Sequence, residues 1–383
     1  MNSFIKISMC VLNIVIIHAC ASTATYVDNV IKLENHLNQS HKASDIFSSC
    51  EIIVLENPSK NSILSSIDRI AIMENRVFVL DEKGNHVVAF DGKGKFIAST
   101  SKLIGKGKNE YIRVQDMTID QQMNRVYLYC DAPYRFLVMD FDLNVEKCFE
   151  VDYLAKEICV ESNNLYALCH NLEKENIYEL RSYDKLKPQG PYKTIITYDK
   201  SIPGVFANGK SISSNGTSCF CSMPFDNHIY EVHGNEVINS YIIDFSDQWF
   251  DPSLSKGMKG GSFIQQNIEK NWMIQNISSS DSILIFNTNK SRSFYLNLFE
   301  KSGAMYRSQL NDMFPFSCSK YTPCQSLEGS TTVFAIPAEY LHGILEYYKE
   351  DGKDIPAACI NLIDNLTKDK SKVNPLIVKM KIK

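Results

Sequence analysis

The chain has 383 residues, of which 44% are hydrophobic and 22% charged, with a formal net charge of −4. Such a composition describes a globular chain with a large core and excludes a disordered one. The slightly acidic balance lacks the basic face that nucleic acid demands, and 19 Tyr and 20 Phe lean the chain toward strands.

The first element is a leader. "MNSFIKISMCVLNIVIIHACAS" carries one lysine, Lys6, an apolar run from Ile7 to Ile17, and then small residues. That run is too short for a hydrocarbon layer of about 30 Å at ~1.5 Å per residue, so residues 1–19 read as a secretory signal peptide. "IHAC" resembles a bacterial lipobox, with Ala19 before Cys20 and His18 as an unusual middle residue. It predicts acylation of Cys20 and an outer-membrane lipoprotein facing the periplasm or the surface. The alternative is an ordinary signal peptide cut within "ASTA". Residues 20–49 read as a polar tether and 50–383 as the folded domain.

Strands follow in repeats of roughly 40 residues. Ile67–Thr100 holds four short apolar strands broken by turn residues, and Val114–Val151 repeats the design. "AKEICVESNNLYALCH…" is a third copy, "GKSISSNGTSCFCSM…" a fourth, and "SDSILIFNTNKSRSFYLNLF" carries the middle of a fifth. One such unit cannot bury both its faces, so the copies must stack around an axis. The prediction is an all-β, six-bladed β-propeller of four-stranded blades, with a few helical insertions in the C-terminal third. "GSFIQQNIEKNW", "PAEYLHGILEYY" and "IPAACINLIDNLTKD" carry those helices. "EIIVLEN" near the start needs a partner, and the terminal "PLIVKMKIK" supplies it, closing the ring.

"GVFANGKS", Gly204 to Ser211, matches the phosphate-cradling G-x-x-x-x-G-K-S pattern. That chemistry needs a helix starting at Lys210–Ser211. Alternating strand residues and the Asn215–Gly216 turn follow instead, so the stretch reads as a loop entering blade four, with no nucleotide.

The segment from Ile67 to Tyr111, followed by "VQDMTID", resembles the exported six-bladed β-propeller proteins related to NHL repeats. The upstream "ASDIFSSCEIIVLEN", the later "HIYEV…YIIDF" and the terminal strand extend that resemblance to most of the chain. It implies the fold and an export route, and no reaction, because fold does not fix function. Where that family has Gly-Pro-Gly before Glu-Tyr, this chain has Gly107-Lys108-Asn109, which leaves the connector less constrained.

The ligand-binding expectation rests on rim loops. "GKGKNEYIRVQD" crosses from one blade to the next, placing Arg113 and Asp116 near a channel mouth, and "CDAPYR" adds Tyr134; the alternative is a plain connector. "DFDLNVEKC" begins like a calcium loop but lacks its glycine and final glutamate, so Asp140 and Asp142 read as turn residues. His86, His170, His228 and His233 read as solvated turn histidines. Of the cysteines outside the leader, most sit in apolar runs as small hydrophobes. Cys219 and Cys221, two apart on a strand, lie too far from each other to bond, and Cys318 with Cys324 read as disulfide partners. No metal or cofactor motif is present. The expectation is a monomeric binding module for a glycan, peptide or protein partner, with a channel-mouth lyase or hydrolase as the alternative.

Overall fold

The computed structural model describes residues 27–33, 42–73, 75–170, 177–199, 209–255, 260–267, 269–290, 293–306, 326–328, 331–336 and 374–383. Their strands form six sheets. Blade one consists of Arg69–Met73, Arg76–Asp81, His86–Asp91 and Phe96–Ser99. Blade two is Arg113–Asp120, Arg125–Ala132, Tyr134–Met139 and Val145–Glu150. Blade three is Ala155–Glu161, Asn164–His170, Tyr178–Asp184 and Tyr192–Tyr198. Blade four begins with Ile212–Ser214, Cys219–Cys221, His228–His233 and Glu236–Asp244. Blade five is Ile274–Ser279, Ile283–Thr288, Ser293–Asn297 and Ser302–Tyr306.

Blade six joins the two ends of the chain. Its order from the axis outward is Ser326–Glu328, Thr331–Ile336, Leu376–Ile382 and Phe47–Val54. The first and last of these domain strands pair antiparallel, with Glu51 opposite Lys379 and Ile53 opposite Ile377. The expected ring closure is therefore present. The six inner strands touch in sequence around the ring, and the sixth returns to the first.

The core lies between blades. In blade one Phe78 and Leu80 face blade two, where they meet Val114, Met117 and Leu128. Their neighbours Val77 and Val79 face the other way, against Val333 and Ile377 of blade six. Blades one to four are covered on both faces, which is why their middle strands read as unbroken apolar runs. Each such side chain contributes roughly 1.5–3 kcal/mol by leaving water. Turn residues set the hairpins: Asn85 and Asn124 adopt φ of 60° and 51°, which asparagine tolerates better than most residues. Gly94, at φ 87°, has no room for a Cβ beside the Val54 carbonyl oxygen.

Alternate strand directions place all connections on two rims. The upper rim, where inner strands begin, carries the blade-to-blade connectors and the hairpins between second and third strands. The lower rim carries the remaining hairpins.

Two stretches of the expected tether, residues 20–49, are strand instead: residues 47–49 open the outer strand of blade six, and the other adds to blade four. Val27–Lys32 pairs parallel with Glu236–Asp244 as a fifth strand on blade four, with Val27 opposite Asn239 and Lys32 opposite Asp244. Asn29 and Ile31 turn inward while Asp28, Val30 and Lys32 are exposed, the period of two that a half-buried strand requires. Ile31 joins the layer between blades four and five. The first insertion is a helix as expected but ends early, at Gly260–Gln266. The other two helical stretches, Cys20, Cys318 and Cys324 lie outside the described residues.

Candidate functional site

Four consecutive blades bring a charged residue to the upper end of the channel: Arg69, Asp116, Glu157 and, just ahead of its strand, Lys210. Irregular pairing aims two of them. The register of the inner strand shifts beside Asp116 in blade two and between Ala155 and Glu157 in blade three, and such bulges re-aim side chains. The Gln115 amide reaches across to the Lys156 carbonyl at 3.3 Å.

The result is a closed charge network. Arg69 donates twice to Asp116, from Nε to Oδ1 at 2.8 Å and from Nη2 to Oδ2 at 3.0 Å. It also lies 3.8 Å from Glu157. Lys210 Nζ reaches Glu82 at 2.8 Å and Asp116 at 3.3 Å, while Lys156 stands 3.6 Å from Glu157. Backbone amides complete the set: Ile158 donates to Asp116 at 2.8 Å, and Ser211 and Ile212 to Glu157 at 2.5 and 3.2 Å. Burial disfavours the charges on Arg69 and Lys210, yet Asp116 above all holds both above their usual values. Burial pushes the Glu82 carboxyl up and the Lys156 ammonium down, each only partly offset by its partner. Three cations face three anions, so the network balances itself. Below it the channel holds a cavity of about 80 Å³ lined by Thr118, Gln121, Glu161, Ser213 and Ser214 among others, room for a few waters.

A larger recess opens elsewhere on the upper rim, between blades three and four. It measures about 670 Å³, and its lining includes Tyr198, Asp199, Asp226, His228, Tyr230 and Trp249. That volume falls in the range of small-molecule sites. Asp226 is the hub: its carboxylate pairs with His228 Nδ1 at 2.5 Å and accepts the Tyr230 hydroxyl at 2.7 Å. The His228 and Tyr230 rings stack at 5.6 Å, and Trp249 stacks on Phe245 at 4.9 Å. Phe225, Phe250, Phe263 and Trp272 form an apolar cluster behind the groove. Rings that offer faces beside carboxylates that accept hydrogen bonds suit a polar ligand with an apolar side.

The expected site residues separate. Arg113 and Tyr134 do meet at the upper rim of blade two: Arg113 binds Asp131 through two 2.6 Å hydrogen bonds, and Asp131 pairs with Tyr134 across the hairpin. Asp116 stands apart from them, wholly buried in the channel network. The "GKGKNEY" connector is held by Arg135, which donates to the carbonyls of Gly107, Lys108 and Glu110 at 2.7–3.0 Å. An arginine thus supplies the constraint that a proline would give.

Two further readings need correction. His86 is buried beside Asp81 at 3.4 Å rather than solvated, and His228 lies in the groove. Asp140 is a turn residue as expected, its carboxylate accepting the amides of Asp142 and Asn144. After Ser211 the chain enters the strand Ile212–Ser214 rather than a helix, in keeping with the loop reading of "GVFANGKS". Lys210, however, is no idle loop residue. Of these charges the sequence singles out only Asp116 for the channel; the groove, built from positions far apart, gave no such signal.

Comparison with known proteins follows from this architecture. The family model described as "Domain of unknown function (DUF4934)" matches residues 28–381. The chain belongs to this family. The matched span begins within the fifth strand of blade four and ends in the closing strand of blade six, so it covers the whole propeller. No curated protein matches. A crystal structure of a Bacteroides fragilis protein described as exported aligns with 93% of this chain and 100% of its own, at 15% identity and a TM-score of 0.71; this likeness concerns the fold. BamB from Moraxella catarrhalis aligns with 67% of this chain and 65% of its own at 8% identity and a TM-score of 0.40. A β-propeller domain from Myceliophteria thermophila aligns with 63% and 69% at 11% identity and a TM-score of 0.36.

Proposed function

We propose that this protein is an exported, lipid-anchored binding module whose ligand, a glycan, sits in the groove between blades three and four. The observation that carries the reading is that 670 Å³ recess, in which aromatic side chains stand beside Asp226, Asp199 and Asp251. Sugar rings stack on aromatic faces and their hydroxyls donate to carboxylates. The channel competes poorly for this role, because the cavity below its charge network measures only about 80 Å³, room for a few waters and not for a sugar chain. Export and acylation at Cys20 rest on the leader and its lipobox-like "IHAC".

A glycan array probed with the purified protein tests the reading. Trp249→Ala and Tyr230→Ala should each weaken retention by about tenfold, ~1.4 kcal/mol, with folding unchanged by circular dichroism. Retention that survives both changes would remove the groove from consideration. The paired Asp226 and His228 favour one second reading, hydrolysis of the bound glycan with these groups moving protons. Released product that disappears in Asp226→Asn would establish it. Fractionation of Cys20→Ser tests the anchor: the variant should move from membrane to soluble fraction.

A further inference from the structure

The groove between blades three and four has a sign as well as a shape. Its carboxylates come from three separate segments. Asp199 follows the outer strand of blade three, Asp226 precedes the third strand of blade four, and Asp251 lies beyond the outer strand of that blade. The described lining adds one imidazole, His228, and no lysine or arginine. Asp226 is buried and ordered by His228 and Tyr230 at 2.5 and 2.7 Å. Asp199 and Asp251 are exposed, and the Ser253 amide fixes one oxygen of Asp251 at 2.8 Å. Among the described residues no three acidic, histidine or cysteine side chains are gathered as a metal ion would need. The three carboxylates therefore suit positive charge spread along a ligand better than a single ion.

The rings of Tyr198, Tyr230 and Trp249 line the same recess. An aromatic face attracts a cation lying within about 6 Å of its centre, and it also offers an apolar surface to a sugar ring. Burial pushes the Tyr198 hydroxyl far above its usual value, with Asp226 and Asp199 adding to the shift, so it keeps its proton and stays a hydrogen-bond donor. Resting on the glycan reading above, we propose that the groove selects sugars bearing free amino groups, as in an oligomer of glucosamine, over neutral or uronic-acid chains. Selection is a difference of affinities. N-acetylation keeps the ring but removes the charge, and a uronate brings a like charge to the carboxylates.

The test titrates matched tetramers of glucosamine, N-acetylglucosamine and a uronic acid against the purified protein in low salt at neutral pH. The glucosamine tetramer should bind about tenfold more tightly than its acetylated twin, and the uronic tetramer should bind most weakly. Asp199→Asn and Asp251→Asn together should cut the first ratio to about threefold or less and leave affinity for the acetylated tetramer unchanged. Both positions are exposed, and circular dichroism checks that the fold is kept. An acetylated or uronic tetramer that binds as tightly as the amine, with binding lost in Trp249→Ala, would overturn the amine preference and keep the groove. A preference for the amine that survives both asparagine changes at full size would also overturn it. Absence of binding by all three tetramers would remove the glycan reading and this inference with it.

Discussion

Arg69 and Asp116 hold each other by two parallel hydrogen bonds across the boundary between blades one and two, at 2.8 and 3.0 Å. Asp116 also accepts the Ile158 amide and faces Lys210, so one carboxylate joins four blades. Breaking a buried pair by removing one partner destabilises by about 3–5 kcal/mol. Asp116→Ala should therefore lower the urea midpoint by much more than Asp116→Asn, which keeps the shape and part of the hydrogen bonding. Equal, small effects in equilibrium unfolding would mean that the network does not hold the blades together.

Lys210 gives the second expectation. Its ammonium bridges Glu82 of blade one and Asp116 of blade two, while its backbone is tied to blade five through Asn276 and Ile277. Lys210→Met should destabilise by about 1–3 kcal/mol, because Glu82 loses its cation and the buried Asp116 keeps only Arg69 of its two. Retention on a glycan array should stay the same, since Lys210 does not line the groove. A variant as stable as the parent in thermal unfolding would contradict this.

Acid sensitivity should trace in part to Asp81. Burial alone would raise its pKa, yet the His86 ring 3.4 Å away and then the amides of Ser65 and Gly84 hold it below the usual carboxylate value. The unfolded group titrates near ~3.9. The folded state therefore binds the proton less readily, and the contribution is complete above that value and lost as pH falls through the lower folded pKa. Asp81→Asn should be less stable than the parent at pH 6, with the gap narrowing between about pH 5 and pH 2. A gap constant across that range would refute the assignment.

Ring closure depends on more than strand pairing. The buried Asn374 side chain accepts the Leu64 amide at 3.0 Å and donates to the Glu56 and Ser62 carbonyls at 3.2 and 2.7 Å. It fastens the approach to the last strand onto the first turns of the domain. Asn374→Ala strands all three backbone groups, each costing about 1–3 kcal/mol if left unsatisfied. Native-state hydrogen exchange should quicken first in Phe47–Val54 and Leu376–Ile382. Unchanged protection of both strands would exclude this role.

The propeller was legible because its signals repeat. Asn85, Asn124 and Gly216 mark hairpins between alternating apolar stretches, and five copies of that pattern admit few folds. The strand Val27–Lys32 was not legible, because it is a single short stretch beside a polar region and its partner lies more than two hundred residues away. At the channel, Asp116 was read as an open-mouth residue. Its chemistry was visible, but the sequence did not show that Arg69 and Lys210 would enclose it. Tyr198, Asp226 and Trp249 each look ordinary where they stand, and only the ring brings them together.

The added strand on blade four also governs how the protein would stand on a membrane. It runs parallel to Glu236–Asp244, so Val27 lies toward the lower rim and Lys32 toward the upper. Six residues separate Cys20 from Val27, a reach of at most roughly 25 Å between their Cα atoms. With Cys20 acylated as proposed, this short leash would draw the lower edge of blade four to the lipid headgroups and turn the groove outward. The anchor would then hold the ligand site toward the solvent, where a large or immobile glycan could be met without the bilayer in the way.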